Sequence, residues 1–178
     1  QIMAIKAAQY SGILTSADVA EAIYYASENG ADIINMSFGG EALSETVQTA
    51  INQAYSQGLI LVAAAGNAAT DSLFYPAAFE NVIGVGSVSN DKKRSSFSNF
   101  GSNVQVVAPG GTGSGSVIYD GFQDAILSTV NANNYAEYLG TSMAAPHVSA
   151  VAALMKEKKN DLNGPSFKTA LDSGFLAQ

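Results

Sequence analysis

The chain has no cysteine and a single histidine, His147, among its 178 residues. Without a thiol there is no disulfide framework, no thiolate-bound zinc and no cysteine nucleophile. Any reaction that needs an imidazole base from within the chain has only His147 to draw on. Basic residues are also few: 8 Lys and Arg stand against 15 Asp and Glu, for a formal net charge of -7 and a pI near 4.4. Such a surface repels polyphosphate backbones and argues against a nucleic-acid partner. No apolar run reaches the roughly 18 residues that span a bilayer, and Gln1-Ile2-Met3-Ala4-Ile5-Lys6 does not read as a signal peptide. Membrane association is therefore not expected either. The one low-complexity patch, Gly110-Gly111-Thr112-Gly113-Ser114-Gly115-Ser116, lacks the Lys-Ser/Thr ending of a phosphate-binding loop and no clear helix follows it. It reads as a surface connector. What remains is 47% hydrophobic and 13% charged, enough to bury one sizeable core, so residues 1–178 are expected to form a single domain.

Strands and helices alternate along the first half. Gln1 to Ala7 reads as a short strand. From Ala17 to Glu28, Val19, Ala22, Ile23 and Ala26 fall at helical spacing before an Asn29-Gly30 stop. Ala31 to Ser37 is a mostly apolar strand, Ser44 caps a helix running to about Gln57, Gly58 ends it, and Leu59 to Ala65 is strand again. Near-continuous apolar strands between helices imply a parallel sheet covered on both faces. Beyond Asn81 the pattern changes to short strands, Val82–Val88, Val104–Ala108, Ile126–Val130 and Tyr135–Leu139, followed by an apolar helix from Ser142 to about Lys158.

Two segments carry chemistry. Ser142 stands where a long helix begins, so free N–H groups and the positive end of the helix dipole face any oxyanion formed at its hydroxyl. Asn67, in Ala64-Ala65-Gly66-Asn67, sits where a parallel strand ends, the place where open α/β sheets form ligand sites. Each also has a plainer reading, Ser142 as a helix cap and Asn67 as turn chemistry after glycine.

Gly140-Thr141-Ser142-Met143-Ala144-Ala145-Pro146-His147 resembles the nucleophile segment of subtilisin-like serine proteases. Asn35-Met36-Ser37-Phe38-Gly39-Gly40 resembles that family's substrate-binding strand, and Ala63-Ala64-Ala65-Gly66-Asn67 its oxyanion segment. Tyr75-Pro76-Ala77 matches the turn that follows, and Ala108-Pro109-Gly110 its core loop. The matches occur in family order and cover the chain from Ile2 to about Leu171. The resemblance implies a three-layer α/β fold with a mainly parallel sheet flanked by helices, here without its N-terminal strands and helix. It implies a serine endopeptidase in which Ser142 attacks the scissile carbonyl and the Asn67 amide, with the Ser142 N–H, binds the oxyanion. Ser37, Phe38, Gly39 and Gly40 would align the substrate as an added strand, and Ala64, Ala65, Gly66 and Thr141 would line the site. Polypeptides are then the substrates, with a hydrophobic preference at a pocket walled by Ala and Gly.

The family's catalytic Asp and His precede the serine in chain order Asp, His, Ser, and no segment after Gln1 matches theirs. Asp18, Asp32, Asp71, Asp91, Asp120 and Asp124 lie elsewhere in the pattern. His147 follows Ser142 by five residues, about 140° round a helix and turned away from it, so it is assigned packing or hydrogen bonding. Pro146 is placed near the first helical turn, where its missing N–H matters little. The resemblance thus implies the C-terminal part of a catalytic domain, inactive alone, with Asp and His upstream. It also implies a gap between the strand at Gln1–Ala7 and that at Ala31–Ser37. Direct pairing of the two, self-association, or a retained N-terminal piece would close that gap. Two other readings stand beside this one: a catalytically dead module that binds extended peptides, and an unrelated α/β module binding an anion at the Ser142 helix. No cofactor is required for the chemistry. Family members hold structural calcium, but no run here has the carboxylate spacing of a calcium loop, so no metal ligand is assigned. The bacterial relatives imply a secreted protein.

Overall fold

The first regular element begins where Thr15 meets Asp18. In a computed structural model, which describes residues 1–112 and 124–174, the Asp18 N–H donates to the Thr15 hydroxyl at 3.1 Å while the Thr15 N–H donates back to the Asp18 carboxylate. This capping box opens α1 (Ser16–Glu28), whose Val19, Ala20, Ile23 and Ala26 form the buried stripe. Ser44 caps α2 (Glu45–Ser56) without a return bond, its hydroxyl accepting from the Val47 N–H, and Val47, Ala50, Ile51 and Ala54 face inward.

Four strands make a parallel sheet in the order β1 (Ile33–Met36), β2 (Ile60–Ala64), β3 (Ile83–Val88), β4 (Val106–Pro109). β2 is buried along its whole length, and its side chains alternate between two cores. Leu61 and Ala63 pack with α1 and α2, whereas Ile60, Val62 and Ala64 pack with Ala144, Ala145, Val148 and Ala152 of α3 (Thr141–Lys158). The layers are therefore helix, sheet, helix, which is the expected α/β architecture. An antiparallel hairpin, β5 (Ile126–Val130) with β6 (Asn134–Tyr138), leads into α3. The Gly113–Ser116 part of the glycine-rich connector, and Asp120, lie outside the described residues.

Three sequence expectations are corrected. Gln1–Ala7 is not a strand: the segment has no regular structure, Ile2 is 96% exposed, and the sheet stops at β1. An apolar run becomes a strand only when a neighbouring edge takes its N–H and C=O groups, and this segment does not pair with β1, so direct pairing does not close the gap. A fourth helix, α4 (Gly164–Asp172), was not expected. Asn163 caps it through the Ser166 N–H at 3.0 Å, Pro165 sits in its first turn, and Phe167 is fully buried. Its nine residues are too few for periodicity to show, although Asn163-Gly164-Pro165 is a legible start signal. The third correction concerns Pro146. α3 starts at Thr141, so Pro146 lies in the second turn, where its missing N–H deprives the Ser142 carbonyl of a helical partner. The Ser37 hydroxyl supplies the bond instead, at 2.8 Å.

Candidate active site

The site forms at the carboxyl ends of β1 and β2, against the N-terminus of α3. That is where a parallel sheet leaves a crevice and a helix presents unpaired N–H groups. Gly140, with φ 146°, caps α3 without a side-chain bond and is held by its N–H to the Gly110 carbonyl at 2.9 Å. The Ser142 N–H has no hydrogen-bond partner among the described residues.

Thr141 ties the two halves of the crevice together. Its N–H and its hydroxyl both donate to Asn67 Oδ1, each at 2.9 Å, and the hydroxyl accepts from the Gly66 N–H at 3.1 Å. The carboxamide orientation of Asn67 follows from donor and acceptor chemistry. Its oxygen is occupied by Thr141, so its NH2 group is the end left to donate. A Cβ built on Gly140 would lie 3.3 Å from that nitrogen. Two donors, the Asn67 NH2 and the Ser142 N–H, thus stand at one helix end.

Ser142 and Ser37 are locked reciprocally. The Ser142 hydroxyl donates to the Ser37 carbonyl at 2.9 Å, and the Ser37 hydroxyl donates to the Ser142 carbonyl at 2.8 Å. Asn35 Nδ2 donates to the Ser37 hydroxyl at 2.8 Å and Asn35 Oδ1 accepts from Ser149 at 3.1 Å, so the end of β1 is sewn to α3. Beyond Ser37 the chain is pinned on its other side: Gly40 and Tyr75 exchange backbone bonds of 2.8 and 2.7 Å. A Cβ at Gly39 would collide with the Tyr75 carbonyl and the Phe74 ring. Ala64, Ala65 and Gly66 form a buried wall of small groups beside this segment.

His147 is exposed and its Nδ1 donates to the Met143 carbonyl at 2.8 Å. The ring is committed to its own helix, as the periodicity implied. The structure brings together Ser142, Thr141, Gly66, Asn67 and Ser37, and sets Phe38, Gly39 and Gly40 on the strand extension beside them. Sequence reasoning missed Asn35 and Ser149 as supports and Asn99 as the partner of the Asn67 loop. Only its place in Ser98-Asn99-Phe100-Gly101, a turn-rich stretch, marked Asn99 as unusual. Among the described residues no three His, Asp or Glu side chains gather as metal ligands, and no calcium ligand set is assigned. No described helix is long and apolar enough to cross a membrane.

The fold and site thus define a parallel α/β sheet with a serine at a glycine-capped helix start facing an asparagine at a strand end. Comparison narrows it: the Subtilase family (peptidase S8) model matches residues 1–173, and the chain belongs to that family. Among known proteins, it is 43% identical over 155 residues to a thermophilic serine proteinase of Bacillus sp. strain AK1, covering 87% of this chain and 35% of that protein. It is 37% identical over 176 residues to subtilisin DY of Bacillus licheniformis, covering 97% of this chain and 60% of that one. The fold matches a cold-adapted subtilisin-like serine proteinase with a TM-score of 0.81 at 32% identity, over 93% of this chain and 57% of that structure. A protease of Pseudoalteromonas arctica PAMC 21717 also gives 0.81, at 41% identity over 91% and 52% of the two chains. The chain therefore spans between about a third and three fifths of the length of these relatives.

Proposed function

We propose that these 178 residues are one domain segment of a subtilisin-like serine endopeptidase, the segment that carries the nucleophile. Ser142 attacks the scissile carbonyl, and the resulting oxyanion is held by the Asn67 NH2 group and the Ser142 N–H. The observation that carries this reading is the Thr141 clamp on Asn67 Oδ1, which leaves the carboxamide NH2 as the donor beside a Ser142 N–H that has no partner among the described residues. An extended polypeptide is read as an added strand along Ser37 to Gly40. The small wall at Ala64 to Gly66 and the Thr141 side accept an apolar side chain, so cleavage is broad with a hydrophobic bias. Secretion is the expected setting.

Attack requires the Ser142 proton to pass to a base. The Ser37 carbonyl, which holds that proton here, cannot take it, and His147 is turned to Met143. Base and orienting carboxylate therefore come from outside this sequence, and the isolated chain is inactive. In subtilisin itself, loss of the triad costs about 10⁶ in kcat, a figure that belongs to that enzyme. A cleft of about 1380 Å³ lies beside the free edge of β1, lined in part by Ile2, Ile5, Ile34, Pro146, Ala150 and Ala153. An N-terminal piece of the same protease, or a second copy, would cover this open edge. The second reading is a peptide-binding module without catalysis, favoured by the Ser142 hydroxyl being engaged by a carbonyl rather than a base.

Labelling with a serine-directed fluorophosphonate tests the proposal, using the isolated chain, its Ser142→Ala variant and the longer protease. Labelling of the longer protein at Ser142, with a silent isolated chain, is expected. Labelling of the isolated chain would overturn the missing-base account, and silence throughout would favour the binding module.

A further inference from the structure

The loop that bears Asn67 does not hold itself in place. Gly66 has φ 104° and Ala69 has φ 52°, two left-handed residues within four positions, and Asn67 to Ala69 are exposed. What holds the loop lies across from it, in the turn that follows β3. Asn99 is 2% exposed. Its Nδ2 donates to the Ala65 carbonyl at 2.9 Å, and its Oδ1 accepts from the Ala68 N–H at 2.9 Å and the Thr70 N–H at 3.4 Å. Its own N–H donates to the Gly66 carbonyl at 3.0 Å. One buried residue thus bonds the backbone at four positions that bracket Asn67 on both sides. Two more backbone bonds flank it, Ala69 N–H to the Phe97 carbonyl at 2.8 Å and Phe100 N–H to the Thr70 carbonyl at 3.0 Å. The fit leaves no slack, since a Cβ at Gly66 would run into Asn99 Nδ2 and lie 3.0 Å from the Phe74 ring.

We infer that Asn99 is a positioning residue for Asn67: its carboxamide sets the 65–70 backbone so that the Asn67 side chain meets Thr141 with its oxygen and the crevice with its NH2. This rests on the reading of Asn67 as the oxyanion donor. A carboxamide suits the task because one planar group must donate to Ala65 and accept from Ala68 and Thr70. A carboxylate of the same shape would set oxygen against the Ala65 carbonyl.

Two measurements test it. In the isolated chain, isotope-labelled, the coupling across the hydrogen bond from the Thr141 amide nitrogen to Asn67 Cγ reports the Asn67 orientation directly. It is expected in the parent chain and lost in Asn99→Ala and Asn99→Asp, while signals from α1 and α2 stay in place. Should Asn99→Ala fail to fold, the isosteric Asn99→Asp decides. A coupling that persists in a folded Asn99 variant overturns the inference. In the longer active protease, Asn99→Ala should lower kcat by about 10- to 10²-fold, the scale of a misplacement of about 1 Å, with little change in KM. In an Asn67→Ala background it should lower kcat no further. An equal fall in both backgrounds, or a change in KM alone, would mean a structural role only and would overturn it. The readouts separate two failures. Unchanged kcat in Asn67→Ala alone refutes the oxyanion reading, whereas a persistent coupling refutes the positioning.

Discussion

Replacing Thr141 by valine removes one oxygen and keeps the shape of the side chain. Thr141 is fully buried, so its hydroxyl has no water to fall back on. The hydroxyl accepts from the Gly66 N–H at 3.1 Å and donates to Asn67 Oδ1 at 2.9 Å. In Thr141→Val the Asn67 oxygen keeps the Thr141 N–H, but the buried Gly66 N–H is left with nothing. An orphaned buried donor costs about 1–3 kcal/mol, and because valine leaves no cavity that penalty is the main effect, about 2 kcal/mol. For a chain of this size each kcal/mol moves the melting midpoint by about 2–4 °C, so a fall of about 4–8 °C is expected. Thr141→Ser is the control: it keeps the hydroxyl and deletes one methyl, at about 1 kcal/mol. The assay is thermal and urea unfolding of the three chains side by side. A valine variant melting within about 1 °C of the parent, or a serine variant less stable than the valine one, would refute the claim that the hydroxyl, not the bulk, holds the crevice together.

Two further outcomes concern the rest of the fold. Phe167 is wholly buried in the core between the sheet and α3, so Phe167→Ala should cost about 3–5 kcal/mol and Phe167→Leu less than about 2. Urea midpoints check both, and a mild alanine variant would mean that α4 is not anchored through this ring. Acid should weaken the fold through exposed carboxylates. Hydrogen bonds from Lys93 and Ser89 hold Asp91 down from 3.8 to about 2, and the Thr15 hydroxyl holds Asp18 below its ordinary value. Both pKa values are depressed in the folded chain, so their contribution is complete above the ordinary carboxylate range and fades as pH falls from about 4 towards 2. Urea midpoints across that window should drop, and Asp91→Asn should flatten part of the slope. A slope unchanged by Asp91→Asn would show that the Ser89–Lys93 turn contributes nothing. Both groups are solvent-exposed, so the effect is small and should weaken further in high salt.

Local chemistry along the chain was enough to place most elements. Ser44 announces its helix because a short hydroxyl side chain satisfies an orphan N–H within three residues of itself, and that needs no tertiary partner. The first helix was legible from its apolar spacing, its Thr15 cap only from the structure. β2 was legible because a strand buried on both faces must be apolar at every position. The serine at the head of α3 and the asparagine after β2 were legible because a glycine-led helix start and a strand-end carboxamide are local patterns too. What only the tertiary structure decided are the features that depend on a neighbour far along the chain. Gln1–Ala7 has the composition of a strand but does not pair with β1, so it is not one. Pro146 looked harmless until α3 was seen to begin at Thr141, when its missing N–H explained why Ser37 bonds the Ser142 carbonyl from 105 residues away. The orientation of Asn67 is set by Thr141 from one side and its backbone is gripped by Asn99 from the other, 74 and 31 residues distant at their bonds. A hydrogen bond is directional and short, so which groups make it is fixed by packing and cannot be read from residue types in order.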